Sequence, residues 1–327
     1  MSLDRSSSRV LARLRADPPP DPATPDGLRA LVNRIAEING PGPQPARESD
    51  RVVPGTGVHL RLLGVAEPPS GLIVMLGLRG WVAGAPGPHE TVARKLAERT
   101  SCDVALIDFR RAPEHPYPAP ADDVYAATRW LWHARPALGH GDTPMMVLGE
   151  GMGAALAAGT VHRALRDPDG PRFALQLLIC PVLDACAGPG VGGQDHVTDT
   201  PLSRAAFDRL WDCYLPDPGL RSAPDASPGR ATDWHGTPPT LVITAGHDAA
   251  AGEGTAFAAR LRAAHVPVAE RHFEDQMHGF FGILPARLGE RAFQHVVRAV
   301  RGYTARAVQN AVPPAAELAG WLDRVIK

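Results

Sequence analysis

The residues able to do chemistry stand at three points of the chain. Asp248 closes the run Leu241-Val242-Ile243-Thr244-Ala245-Gly246-His247-Asp248, and His278 lies in Asp275-Gln276-Met277-His278-Gly279-Phe280-Phe281-Gly282. An aspartate held against an imidazole fixes its tautomer and stabilises the imidazolium, so an acid and a histidine at consecutive strand ends suit general acid–base work. Upstream, Met145-Met146-Val147-Leu148-Gly149-Glu150-Gly151-Met152-Gly153-Ala154-Ala155 reads as a buried strand, a sharp glycine-rich turn and a helix start. Such an elbow projects its central residue over a sheet. Here that residue is Gly151, which has no side chain to attack a carbonyl or carry an acyl group.

These points need strands to carry them. Strand patterns cover Leu72–Leu76, Val104–Asp108, Met145–Leu148, Leu175–Cys180, Thr240–Ala245 and Val268–Phe273. Helical patterns cover His89–Arg99, Ala119–Ala134, Ala154–Leu165, Gly252–Ala264 and Arg287–Val308. Val52-Val53 and Val58–Leu63, on either side of Pro54-Gly55-Thr56-Gly57, read as a hairpin. Alternating strand and helix predict an α/β fold, a mostly parallel sheet flanked by helices, with chemistry at the carboxyl ends of its strands. Residues 1–48 read as an N-terminal helical cap segment, with helices near Arg9–Ala16 and Pro25–Ile38. Residues 49–327 form the main domain, interrupted at 184–236 by a cap insertion with one helix near Ser203–Tyr214.

The 327 residues, 44% hydrophobic, suffice for one large α/β domain and a small cap. A net charge of −1 and the lack of a basic stripe point away from nucleic acid. No long apolar run or signal-peptide core is present, so no membrane association and a cytoplasmic location are the expectation. Cys102, Cys180, Cys186 and Cys213 show no metal-ligand spacing and no dense disulfide pattern, and read as reduced and mostly buried, with one disulfide left open. Lys95 and Lys327 are the sole lysines, and the arginine-rich, Ala/Pro/Gly-rich composition is that of a GC-rich bacterial genome.

The motifs resemble the hormone-sensitive-lipase family of α/β-hydrolases, in its bacterial carboxylesterase branch. Asp108-Phe109-Arg110-Arg111-Ala112-Pro113-Glu114-His115-Pro116-Tyr117-Pro118-Ala119 is similar to that family's D-Y-R-L-A-P-E-H-P-F-P-A. The runs ending at Asp248 and around His278 resemble its acid and histidine turns, and the elbow–acid–histidine order agrees. The resemblance covers roughly residues 50–305. It implies an α/β-hydrolase fold, His278 and Asp248 as catalytic base and acid, and pairing of two copies through edge strands or C-terminal helices.

Two departures stand out. The family's G-x-S-x-G becomes Gly149-Glu150-Gly151-Met152-Gly153, without the serine. Its H-G-G-G-W becomes Gly77-Leu78-Arg79-Gly80-Trp81. The resemblance implies an oxyanion hole from the backbone N–H groups of Arg79, Gly80 and Met152. Leu78 would bend the loop or fill the pocket. The Arg79 guanidinium would meet an anionic or carbonyl-bearing substrate, or else pair with Glu150.

The leading expectation is a non-hydrolytic enzyme, a cyclase or a dehydratase or related lyase, using His278 and Asp248 as an acid/base dyad. Plant members of the family supply that precedent. A non-covalent or residual ester hydrolase, and a ligand-binding protein without turnover, are the alternatives. Gly149, Gly151 and Ala154 also fit a dinucleotide G-x-G-x-x-A, but mid-chain and without an acid at the next strand end. Glu114-His115 alone does not make a metal site, and neither cofactor nor metal is expected.

Overall fold

The structure is a computed structural model. It describes residues 2–18, 20–66, 68–77, 80–83, 86–187, 200, 202–283, 287–308, 318, 320–322 and 324, with the side chains of 86–88, 287, 288 and 308 left aside. One eight-stranded sheet organises it. Its strands are β1 (Arg47–Val52), β2 (His59–Gly64), β3 (Leu72–Leu76), β4 (Asp103–Asp108), β5 (Met145–Glu150), β6 (Leu175–Ile179), β7 (Thr240–His247) and β8 (Val268–Met277). They lie in the order β1-β2-β4-β3-β5-β6-β7-β8. The hairpin strands β1 and β2 run antiparallel, and β2 is antiparallel to β4, while the β4-β3-β5-β6-β7-β8 block is parallel.

Period-two alternation explains why both faces of the sheet are covered. In β3, Leu72, Val74 and Leu76 enter one apolar cluster, while Ile73 and Met75 enter the other. The second cluster is closed by α4 (Pro86–Thr100) and α9 (Arg287–Val308) through Val92, Leu96, Phe293 and Val296. The first is closed by α5 (Ala119–Ala134), α6 (Met152–Leu165) and α8 (Ala251–Ala263). It also takes in α1 (Arg5–Ala16), α2 (Pro25–Asn39) and α7 (Arg204–Tyr214), through Leu14, Leu31, Ile35, Phe207 and Trp211. The short α3 (Gly80–Ala83) follows β3, and its Trp81 ring stacks on Tyr214 at 4.3 Å. Trp81 Nε1 donates to the Leu210 carbonyl at 3.1 Å.

Several elements run further than their patterns suggest. Helix α1 begins at Arg5 because Asp4 caps it, accepting from the Ser6 and Ser7 amides at 3.0 Å each. Strand β1 is charged along its length and still pairs with β2, since it is a solvent-facing edge. Four cysteines are free, Cys102 and Cys180 buried, Cys213 half-buried and Cys186 exposed, which closes the disulfide option and corrects the expectation of mostly buried thiols. Among the described residues no helix is long and apolar enough to cross a membrane.

The N-terminal helices hold the turn that carries the histidine. Asp4 N donates to the Asp275 carbonyl at 3.0 Å. Ser7 Oγ, fully buried, donates to Gln276 Oε1 at 2.8 Å. Ser7→Ala leaves that oxygen without its donor inside the protein and is expected to destabilise by roughly 1–3 kcal/mol. Urea denaturation checks it, and a midpoint equal to that of the parent would show that the contact does not hold the turn.

Candidate active site

Strand register brings the acid and the base together. His247 and Met277 are Cα partners across β7 and β8, so the next residues, Asp248 and His278, emerge side by side at the carboxyl edge. A register irregularity between Ala245 and His247 turns the strand end there. The His278 amide donates to the His247 carbonyl at 3.2 Å. His278 Nδ1 lies 2.9 Å from Asp248 Oδ2, with the carboxylate wholly buried and the imidazole nearly so. Neither atom completes a well-directed hydrogen bond. Asp248 Oδ1 accepts from the Ala250 amide at 2.8 Å, which aims Oδ2 at the ring. Nε2 is then the nitrogen left to exchange protons with a bound molecule.

The elbow between β5 and α6 is present as a backbone shape. Gly151 has φ 58° and ψ −126°. Its N–H donates to Ile179 O at 2.8 Å, and its carbonyl accepts from Val182 N and Ala154 N at 3.1 Å each. These bonds tie the turn to β6 and impose the left-handed conformation that glycine tolerates without strain. Met152, the next residue, opens α6, where the first backbone N–H groups have no partner within the helix. That end also carries the positive side of the helix dipole, and suits developing negative charge.

The oxyanion-loop expectation needs correction at Gly80. Its amide was expected to face an oxyanion, but it donates to the Gly77 carbonyl at 3.2 Å. Gly80, at φ 46°, lies so close to Met152 that an added Cβ would overlap it. Gly80→Ala is therefore expected to cost about 2 kcal/mol from strained φ and overpacking. A thermal or urea melt reads this, and a change under about 0.5 kcal/mol, within the range of neutral surface substitutions, would refute the tight packing. Leu78 and Arg79 lie outside the described residues. A side chain at position 77 would run into the His89 ring, which lies against the backbone there.

Glu150 does not serve as a surface charge. It is buried, and its Oε1 accepts from the Gly282 amide at 3.0 Å. Asn39 Nδ2, at the end of α2, donates to the Gly282 carbonyl at 2.7 Å. The last strand residue before the elbow and the end of α2 thus grip the same glycine, in the turn that follows His278. Glu114, in the weak Glu-His pair, is engaged by both guanidinium nitrogens of Arg29 at 2.8 and 2.7 Å, which pulls its carboxyl well below the ordinary range.

Two neighbours of the dyad and one residue bonded to the turn after it escaped the sequence reading. Phe207 of α7 packs edge-on against the His278 ring, with centroids 4.9 Å apart. Asn39 is the second, and nothing local in sequence signals its partner. Cys180 is the third. It is fully buried at φ 43°, just past β6, and its sulfur, Asp248 and His278 offer atoms all within 4.8 Å of one another. The rule that strand carboxyl ends carry chemistry could have flagged it, since it closes the apolar run Leu175–Cys180.

A parallel sheet with a strand–elbow–helix and an acid and histidine on the two following strand ends defines a class of protein. The family model described as the alpha/beta hydrolase fold matches residues 79–282, and the chain belongs to that family. Among curated proteins, esterase LipI of Mycobacterium tuberculosis is 30% identical over 279 residues, spanning 80% of this chain and 84% of that one. The hyperthermophilic esterase of the archaeon Pyrobaculum calidifontis superposes with a TM-score of 0.82 at 26% identity, covering 96% of this chain and 100% of that one. An esterase of the bacterial hormone-sensitive lipase family gives a TM-score of 0.80 at 25% identity, covering 93% and 100%.

Proposed function

We propose that the protein hydrolyses a small carbonyl ester without a covalent acyl intermediate, with His278 activating water. The observation that carries this reading is an intact, buried His278–Asp248 pair beside an elbow whose central residue is Gly151. Water takes the place of a serine hydroxyl in the space left at Gly151. His278 Nε2 accepts a proton from that water as the oxygen adds to the carbonyl carbon. The Met152 N–H at the head of α6 stabilises the oxyanion. His278 then returns the proton to the departing alkoxide, giving acid and alcohol. Relatives named as esterases support hydrolysis over the cyclase or lyase chemistry expected from the sequence, which would use the same base.

The test uses short-chain p-nitrophenyl esters in water enriched in ¹⁸O. We expect slow turnover without a burst, label in the released acid, and no reaction with a fluorophosphonate probe. His278→Ala is expected to lower kcat/KM by about 10²–10⁴-fold. Equal rates for the parent and His278→Ala would refute the reading. Conversion of a carbonyl substrate with no water incorporated would favour elimination or cyclisation instead.

A further inference from the structure

We propose that Cys180, Asp248 and His278 form a binding site for Zn²⁺ that, when filled, disables the histidine as a base. The inference stands on the geometry of these side chains and does not depend on ester hydrolysis being the reaction.

The three side chains come from three consecutive strand ends and converge in the interior. The Cys180 sulfur, an Asp248 oxygen and a His278 nitrogen lie within 4.8 Å of one another, and all three residues are buried. A thiolate, an imidazole and a carboxylate make a donor set that suits zinc and not the hard cations magnesium or calcium. Bond lengths to tetrahedral zinc set ligand separations of about 3.3 Å for nitrogen to oxygen and about 3.6 Å for either to sulfur. Nδ1 and Oδ2 already stand 2.9 Å apart. The sulfur needs an inward movement of at most on the order of 1 Å to meet that spacing.

Two of the donor atoms already meet as the dyad. Asp248 Oδ2 and His278 Nδ1 are buried and complete no hydrogen bond among the described residues, although they face each other. A cation between them would replace that single contact with two bonds to the metal. The surroundings are those of a supported metal site. The Ala250 amide holds the second carboxylate oxygen at 2.8 Å. Burial and the neighbouring Asp248 push the Cys180 thiol up, while the Gly279 amide draws it down.

Binding replaces the thiol proton with the metal. Zn²⁺ and Cys180–SH give the zinc thiolate and one released proton, with no change of oxidation state. Zinc on Nδ1 leaves the imidazole proton on Nε2. The ring can then donate but can no longer accept a proton, so the base is lost while its position is kept. One coordination position remains for water.

The experiment is metal titration of chelator-stripped protein. Zn²⁺ is competed against a chromophoric chelator, and Co²⁺ serves as a spectroscopic probe. We expect one metal per chain, release of one thiol proton, and a thiolate-to-cobalt charge-transfer band. Cys180→Ser is expected to abolish the band and weaken Zn²⁺ at least tenfold, and Cys186→Ser with Cys213→Ser to leave both unchanged. Should Cys180→Ser fail to fold, the band in the Cys186→Ser/Cys213→Ser protein decides the matter. Its presence supports the site, because the described residues contain no other such three-ligand group. Its absence, or undiminished zinc binding in a folded Cys180→Ser protein, overturns the proposal.

Discussion

Gly151→Ser is expected to give a protein that reacts stoichiometrically with a fluorophosphonate and hydrolyses p-nitrophenyl esters about 10³-fold faster than the parent. The backbone needs no rebuilding for this. The elbow already holds φ 58° and ψ −126°, anchored to Ile179 and Val182. A serine there is strained by roughly 1–3 kcal/mol, the usual cost of a non-glycine residue in that region. It gains a hydroxyl over the sheet beside an acid–histidine pair already in contact. Loss of the serine from an intact triad costs on the order of 10⁶ in turnover. The smaller gain expected here reflects the altered loop from Gly77 to Gly80, where the Gly80 amide is turned to Gly77. Mass spectrometry of the labelled protein is the measurement, with Gly151→Ser/His278→Ala as the unreactive control. An unlabelled but folded Gly151→Ser protein would place the decisive departure in the loop and not at the elbow.

The largest stability effect is expected from Glu253→Ala, at about 3–5 kcal/mol, the range for removing one partner of a buried ion pair. Glu253 lies in α8 with its carboxylate buried. One oxygen accepts from the Leu183 and Asp184 amides at 2.7 and 2.9 Å. The other receives the Arg204 guanidinium at 2.6 Å. Alanine strands two amides and leaves the largely buried Arg204 with Asp208 as its remaining carboxylate, at 3.0 Å. Arg204 opens α7, the helix that also carries Phe207 against the histidine ring, so loss of the anchor loosens one wall of the site. Glu253→Gln keeps an acceptor for the amides and is expected to lose roughly half as much. Equilibrium urea denaturation distinguishes the variants, and a loss below about 1 kcal/mol for alanine would show that solvent reaches Arg204.

The central architecture was legible because its signals are local. Buried parallel strands such as Leu72-Ile73-Val74-Met75-Leu76 are short apolar runs, and α5 and α9 keep their helical pattern to both ends. Asp248 could be read because it closes such a run and His278 because it follows the next strand, and register then brings them together. What stayed hidden depends on distant partners. Ser7 reads as a poor helix former, yet it is buried against Gln276, 269 positions away. The β8 pattern stops at Phe273 because Glu274 and Asp275 look like turn residues, though the edge position lets the strand continue to Met277. Cys180 carries no spacing motif, and only the fold shows what it approaches. The direction of the Gly80 amide is likewise a matter of backbone path, which residue types alone do not encode.

The grip of the N-terminal helices on the histidine turn has a consequence for deuterium exchange. Asp4, Ser7 and Asn39 bond to Asp275, Gln276 and Gly282, on either side of His278. The turn's own amides donate elsewhere, His278 N to the His247 carbonyl and Gly282 N to Glu150, so the Asp4 amide is the one that reports docking, and its exchange should follow the undocking of α1 instead of the opening of the central strands. The base is anchored to the sheet through His247, and the first forty residues add a second hold, on the carbonyls and one side chain that flank it.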